Sequence, residues 1–330
     1  MNVLVTGGAG YIGSHTCVAL LEAGHTVTVA DNLCNSKAET IDKVKHITNK
    51  EVTFYQADVT DEKALDAIFS NHSIDGVIHF AGFKAVGESV EKPLEYYYNN
   101  LVSTMVLAKV CVKYGVKKFV FSSSATVYGD NTAPFVETMK LMTTTNPYGE
   151  TKVMIERILT DIAKTNPDWS LTLLRYFNPV GAHKCGLTGD APNGIPNNLM
   201  PYITQVAKGK LKKLRIFGND YPTVDGTGVR DYIHVMDLAE GHVAALNNLT
   251  EGVQIYNLGT CQGTSVLQLV KAFEEANGIK VPYEIVGRRP GDIAECYADV
   301  TKARKELGWT AKRDTIDMCK DAWRFEKMRY

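Results

Sequence analysis

The segment Val3-Leu4-Val5-Thr6-Gly7-Gly8-Ala9-Gly10-Tyr11-Ile12-Gly13 limits what this chain can fold into more than any other. Val3 to Thr6 predict a strand. Glycines at 7, 10 and 13 follow, and an apolar-periodic stretch, Tyr11 to Ala23, predicts a helix directly after. Glycines in such a turn let backbone N–H groups approach a pyrophosphate, and the helix N-terminus adds a partial positive charge there. A second apolar run, Val27 to Ala30, ends in Asp31. A carboxylate about 20 residues beyond the glycines binds a ribose diol and repels a 2′-phosphate. The expected ligand is therefore a dinucleotide, and NAD rather than NADP.

The same alternation continues downstream. Strands are predicted at 3–6, 27–30, 52–56, 76–80, 118–121 and 171–176, and helices at 11–23, 63–71, 93–113 and 149–165. Alternating β and α elements imply an α/β fold with a doubly wound parallel sheet. The strand ends carry small and polar residues: the glycine turn, Asp31-Asn32, Asp58, Ala81-Gly82, Ser122-Ser123-Ser124 and Phe177-Asn178. Ligands of open α/β sheets bind beyond the carboxyl ends of strands. After Asn178 the pattern breaks. Residues 179–198 and 218–230 are rich in Gly, Pro, Asn and Asp and read as long loops, which are uncommon unless functional. Strands near 213–217, 254–258 and 282–286, with helices near 236–248, 265–276 and 301–307, complete a smaller, mixed α/β second domain. The expected division is 1–178 for the dinucleotide and 179–330 for the substrate, with 231–260 able to return to the first sheet.

Composition narrows the function classes. With a formal net charge of −1 over 330 residues, there is no electrostatic case for nucleic acid or an anionic membrane. No apolar run reaches the roughly 18 residues of a membrane span. The early first strand leaves no room for a signal peptide. Seven cysteines without C-x-x-C pairs suggest free thiols in a reducing compartment, so the expected location is cytoplasmic. The eight histidines show no metal-ligand spacing, and no metal is expected.

Tyr148 and Lys152 lie four apart at the start of a predicted helix, which puts both side chains on one face. A tyrosine with a pKa of about 10 is a poor base at neutral pH; bringing it near 7 requires about 4 kcal/mol of differential stabilisation. The Lys152 ammonium and the positive nicotinamide of NAD+ are the expected sources. The plain alternative is an exposed tyrosine beside a solvated lysine; the glycine turn and the serines 24 residues upstream weigh against it. Ser124 is the functional choice among those serines, with Ser122 or Ser123 expected to satisfy its own backbone. No G-x-S-x-G elbow is present, so a nucleophilic serine is not expected.

With Gly-x-x-Gly-x-x-Gly and Ser124…Tyr148-x-x-x-Lys152, the chain resembles the extended short-chain dehydrogenase/reductase family, which has a Rossmann dinucleotide domain. Within it, the chain most resembles the UDP-glucose 4-epimerases. His79 to Ser89, Ser122 to Gly129, Arg175 to Ala182, Ile195 to Pro201 and Gly228 to Val235 carry the likeness along most of the length.

The resemblance implies a reaction in galactose metabolism. Tyr148 would take the proton of the sugar 4-hydroxyl while C4 hydride passes to NAD+. The 4-keto sugar would rotate, and hydride would return to the other face. Lys152 would lower the Tyr148 pKa, and Ser124 would orient the 4-oxygen. The cofactor residues implied are Gly7, Gly10, Tyr11, Ile12, Gly13, Asp31, Asn32, Leu33, Cys34, Asn35, Ser36, Asp58, Val59, Phe80, Ala81, Gly82, Phe83, Lys84, Asn99 and Phe177, with the Ser124, Tyr148 and Lys152 set. For Asp58 a turn carboxylate is an equal reading. Substrate would meet Lys84, Ser124, Tyr148, Asn178, Asn198, Leu199, Phe217, Arg230, Tyr232, Arg289, Asp292 and Cys296. Arg230 and Arg289 are the expected diphosphate clamps, with Arg288 left at the surface. Asp292 would accept from the uridine ribose.

Two positions make the expectation sharper. Ala125 and Thr126 stand where the related dehydratases carry an acidic pair, so elimination lacks its acid and base. Cys296 falls where some family members carry a tyrosine that walls the sugar pocket, so N-acetylated UDP-hexosamines are expected as further substrates. A merely buried cysteine is the alternative. By the same resemblance a homodimer is expected, formed through the helices at 93–113 and 149–165. Tyr96, Tyr97 and Tyr98 could serve as core, cofactor wall or interface. A net nucleotide-sugar dehydrogenase or dehydratase, or a non-catalytic NAD-sensing module, remain the competing readings.

Overall fold

Seven parallel strands form the central sheet in the computed structural model, which describes residues 1–192, 194–289 and 291–329. Six of them are β1 (Asn2–Thr6), β2 (Thr26–Asp31), β3 (Thr53–Gln56), β4 (Gly76–His79), β5 (Lys118–Ser122) and β6 (Ser170–Tyr176). The seventh is Gly252–Leu258, and the order across the sheet is Gly252–Leu258, β6, β5, β4, β1, β2, β3. The direction of winding reverses between β1 and β4, the place where doubly wound sheets open a crevice.

Strand periodicity explains the layering. Val3 and Val5 face one core while Leu4 faces the other, and Val120 opposes Phe119 and Phe121 in the same way. Both faces are covered, so the strands are apolar throughout, as parallel sheets require. One face packs helix α1 (Tyr11–Glu22) and the helix Val235–Asn247. The other packs α3 (Glu62–Asn71), α5 (Pro93–Lys113) and α6 (Pro147–Thr165) through Leu65, Ile68, Leu107, Ile155 and Leu159. The short helices α2 (Glu39–Thr48) and α4 (Val86–Glu91) were not expected from the sequence. In α2 only Ile41 and Val44 are buried, too few to mark a period among charged residues.

The downstream lobe has its own core around Ile203, Leu214, Leu269, Phe273 and Met318. Its sheets are small: Asn178–Val180 with Tyr232–His234, Leu214–Phe217 with Tyr283–Val286, and a three-stranded set of Thr264–Ser265, Val229–Arg230 and Glu295–Cys296. The loop expected at 179–198 begins in the three-residue strand Asn178–Val180 and the one at 218–230 ends in the two-residue strand Val229–Arg230, both too short to show alternation. The helices Leu199–Ala207 and Thr315–Met328 also escaped the sequence reading. The second begins with a capping box, Asp314 and Asp317, a signal that was available. The chain then crosses back: Gly252–Leu258 pairs along its whole length with β6. Among the described residues no helix is long and apolar enough to cross a membrane.

Candidate active site

β1 runs into the glycine turn and directly into α1. Gly7 has φ +70°, and a Cβ there would sit 2.8 Å from the Ala81 backbone nitrogen at the end of β4. A Cβ at Gly13 would lie 2.2 Å from the Gly7 carbonyl oxygen. Both positions therefore require glycine. Gly10 caps α1 without a side-chain hydrogen bond, and the first turn holds no acidic residue. The first-turn N–H groups of a helix have no intrahelical partner, and Tyr11, Ile12 and Gly13, which carry them here, line the cleft, so this end of α1 can serve as an anion site.

Asp31 closes the outer side. Its carboxylate accepts from Ala9 N (3.0 Å), Leu33 N (2.9 Å) and Ser36 Oγ (2.8 Å), so it fastens the 31–36 loop onto the glycine turn. This uses three of the roughly four acceptor positions of a carboxylate and leaves room for one further donor. Asp58 fills both sequence readings. It accepts from Thr60 N, Thr60 Oγ1 and Asn32 Nδ2, and it lines the same cleft. Those hydrogen bonds outweigh its burial and hold its pKa below the usual carboxylate range.

The cleft encloses about 990 Å³, its open mouth included, and runs from Asp31 to Tyr148 and Lys152. Its lining includes Gly7, Gly10, Tyr11, Ile12, Gly13, Asn32, Cys34, Asn35, Ser36, Val59, Phe80, Ala81, Gly82, Phe83, Lys84 and Asn99. Leu33, Ser124 and Phe177 are not in that lining. Leu33 and Phe177 pack against apolar clusters behind it. Ser103 and Tyr176 line the cleft and were missed. Ser103 lies one helical turn from Asn99, a spacing that could have found it. Asn100, also missed, is the buried brace of this wall. Its side chain bonds both backbone groups of Phe83 and reaches Thr151 Oγ1 of α6 at 3.1 Å.

At the inner end Pro147 and the Asn146 cap start α6, and Tyr148 and Lys152 follow on one face. Tyr148 is 8% exposed and faces the Ser124 hydroxyl. The Lys152 ammonium donates to the Ser122 carbonyl oxygen at 2.8 Å and lies 5.9 Å from the Tyr148 ring centre. Burial, then Tyr176, push the Tyr148 pKa up, and the Ser124 hydrogen bond only partly opposes them. Burial lowers Lys152 to about 8, with Glu156 opposing. In the polypeptide alone, burial thus holds Tyr148 toward its neutral form. The serines are corrected. Neither Ser122 nor Ser123 bonds its own backbone: Ser122 Oγ donates to Tyr176 Oη (3.1 Å) and Ser123 Oγ to Glu156 Oε1 (2.6 Å).

The second lobe brings its residues together separately. Arg289 binds Asp292 through Nε (3.1 Å) and Nη2 (2.8 Å), and Arg230 Nη2 lies 3.9 Å from the same carboxylate. Arg289 also sits over the Phe217 ring at 5.7 Å. Arg288 instead pairs with Asp220 at the surface and stacks on Tyr221. Cys296 is the strand partner of Arg230, packs against the cluster holding Phe177, and burial raises its thiol to about 11. Tyr232 is buried beside Arg230 and Asp292, and burial raises it to about 12. Asn178 is exposed at the start of its strand, while Asn198 caps Leu199–Ala207 and donates to Asp190 at 3.2 Å. Tyr96 is buried and donates to Glu88, whereas Tyr98 is 65% exposed.

Comparison with known proteins agrees with this geometry. Residues 3–259 match the family described as "NAD dependent epimerase/dehydratase family". A UDP-glucose 4-epimerase of Bacillus subtilis (strain 168) is 60% identical over 329 residues, 99% of this chain and 97% of that protein. The UDP-glucose 4-epimerase of Bifidobacterium longum, solved in complex with NAD+ and UDP, superposes with a TM-score of 0.97 at 53% identity. The match covers 100% of this chain and 99% of that one. The UDP-Glc/GlcNAc 4-epimerase of Campylobacter jejuni gives 0.85 at 37% identity, covering 99% of each. The chain belongs to the NAD-dependent epimerase/dehydratase family and, within it, to the UDP-glucose 4-epimerases.

Proposed function

We propose that this enzyme, an isomerase, interconverts UDP-glucose and UDP-galactose at C4 with NAD. The observation that carries the reading is that Tyr148 and Lys152, with Ser124 bonded to Tyr148, stand at the inner end of a cleft that begins in a glycine turn. The cleft suits NAD. The Gly7 and Gly13 positions have no room for a Cβ, the α1 N–H groups are free for a pyrophosphate, and Asp31 disfavours a 2′-phosphate. When bound, NAD supplies the acceptor and then the donor of the C4 hydrogen, and its positive ring adds to the positive charge of Lys152 beside Tyr148.

Tyr148 takes the 4-hydroxyl proton and later returns it; Ser124 holds the oxygen in line. Lys152 holds the serine-rich strand end through the Ser122 carbonyl and keeps positive charge beside the ring. Arg230 and Arg289 leave Asp292 for the diphosphate, to which a guanidinium presents two parallel donors. A sugar tethered only through its diphosphate can turn over within the site, which a 4-epimerase needs.

Cys296 supports a wider pocket. A thiol beside Arg230, in place of a large ring, leaves space for an N-acetyl group. The fold tolerates such a substrate in the C. jejuni relative named for both sugars. The exposed stripe Leu94, Tyr98, Met105 and Val112 on α5 supports a homodimer. These four are 0, 4, 11 and 18 residues along one helix, hence on one face.

Proton NMR of the purified protein with UDP-galactose and, separately, UDP-N-acetylgalactosamine tests the reading without added NAD. Turnover of both is expected. Turnover of UDP-galactose alone removes the wide pocket, and turnover of neither, even with NAD supplied, removes the epimerase reading.

A further inference from the structure

We infer that Glu156, paired with Arg175, is a positioning residue that sets Lys152 and the serine-rich end of β5 for the proton chemistry at Tyr148. This rests on the reading of Tyr148 and Lys152 given above.

Tyr148, Lys152 and Glu156 fall at successive turns of one face of α6. The helix thus carries its reactive pair toward the cleft and a carboxylate one turn deeper. Glu156 Oε1 accepts from Ser123 Oγ (2.6 Å) and Arg175 Nε (3.0 Å), and Oε2 accepts from Arg175 Nη2 (2.7 Å). Both side chains are about 95% shielded, at 5% and 4% exposure. The guanidinium lies 4.9 Å from the Tyr128 ring, whose hydroxyl donates to Asn257 Oδ1 at 2.6 Å.

The arrangement gives each of three consecutive serines a partner around the reactive pair. The Ser122 carbonyl takes the Lys152 ammonium, Ser123 is tied to Glu156, and Ser124 meets Tyr148. Releasing Ser123 frees the middle of that strand end and with it both neighbours. Glu156 also acts through charge. Lys152 is faced by Tyr148 and Glu156 on α6, by His79 on β4 and by Phe121 and the Ser122 carbonyl on β5, and Tyr176 on β6 lines the same cleft. His79 is held neutral by burial and by Lys152 itself. Of the titratable groups among these, Glu156 is the one whose charge favours the ammonium.

Stability alone does not explain the pair. A buried ion pair is often no more stabilising than apolar residues of the same volume. Three elements meeting beside the reactive lysine could have been packed with leucines. The ionic version places a fixed negative charge one turn from Lys152.

The test compares Glu156→Gln, the paired variant Glu156→Gln/Arg175→Met and Tyr148→Phe. The readouts are UDP-galactose turnover against pH and thermal melting, all on the NAD-loaded protein. For Glu156→Gln, kcat is expected to fall roughly tenfold, in the range for residues joined in one hydrogen-bond network, with KM within about twofold. The alkaline fall of kcat moves to lower pH. Because Glu156→Gln leaves Arg175 a buried unpaired charge, the paired variant carries the test if the single one does not fold. A paired variant that melts like the wild type yet keeps the lowered kcat and displaced pH profile supports the inference. Wild-type kcat and profile in the paired variant show a structural pair only and overturn it. An inactive Tyr148→Phe beside an unaffected Glu156→Gln removes the positioning role alone, whereas full activity in Tyr148→Phe removes the reading of the site and this inference with it.

Discussion

The Lys152 ammonium donates to the Ser122 carbonyl oxygen at 2.8 Å rather than to the Tyr148 hydroxyl. The lysine thereby fixes the strand end that carries Ser124, and it reaches Tyr148 through space and through that strand.

Tyr148→Phe removes the hydroxyl and leaves the ring. Turnover of UDP-galactose is expected to fall by roughly 100-fold or more, the usual size of a positioned acid–base contribution. Binding of UDP, followed by calorimetry, should stay within about twofold, since the diphosphate clamps lie in the other lobe. Unchanged turnover would reject the base.

Burial of Lys152 has a measurable sign. Its pKa is about 8 in the folded protein, against about 10.4 in an unfolded chain. Below pH 8 it is charged in both states, and the cost of burying that charge is paid in full. From about pH 8 to 10.4 the folded protein has released the proton and the unfolded chain has not, so stability rises with pH. The wild type is expected to gain up to roughly 3 kcal/mol over that window relative to Lys152→Met. Urea unfolding at stepped pH measures it, and a flat difference refutes it.

Gly13→Ala places a methyl 2.2 Å from the Gly7 oxygen and 2.8 Å from the Gly8 Cα, both backbone atoms. Nothing flexible can move aside, so the turn must open, at a cost of roughly 1–3 kcal/mol. The purified variant is expected to carry little dinucleotide, as read by chromatography of the denatured protein. Gly10→Ala, whose methyl would meet only the Gly7 oxygen at 3.2 Å, should retain more.

Cys296→Tyr should abolish turnover of UDP-N-acetylgalactosamine and spare UDP-galactose. Parallel NMR rates decide it. Equal loss of both would mean that the new ring disturbs Arg230, its strand partner, rather than the sugar pocket.

Tyr98→Glu puts a charge in the exposed stripe of α5. Light scattering at micromolar protein should report twice the chain mass for the wild type and a single chain for the variant. A wild-type monomer would dispose of the dimer.

The dinucleotide half was legible because its signals are local. The Gly7 to Gly13 turn, Asp31 at a strand end and the Tyr148–Lys152 spacing each sit within a few residues. Long elements with a clear period were placed well; the helix expected at 93–113 is Pro93–Lys113. What stayed hidden depends on distant partners. Glu156 looks like any helix carboxylate until Arg175 and Ser123 meet it. Asn100 looks like a helix interior residue until the 82–84 loop folds over it. The strands around Arg230 and Cys296 are two residues long, with no periodicity to read. The depth at which Tyr148 is buried was not legible either, because a motif shows the neighbouring charge but not the burial.

The return of Gly252–Leu258 to the edge of β6 bears on how this protein can be made and divided. Any single cut between 179 and 251 strips that neighbour away and leaves a row of unpaired N–H and C=O groups along β6, a template for aggregation. An expressed N-terminal half would lack its own border. On the ribosome, the sheet is completed only after the 179–251 stretch has been made and Gly252–Leu258 has followed it. A severed version that works would have to keep the 252–258 segment as a separate tether, because the two lobes are interleaved along the chain rather than joined end to end.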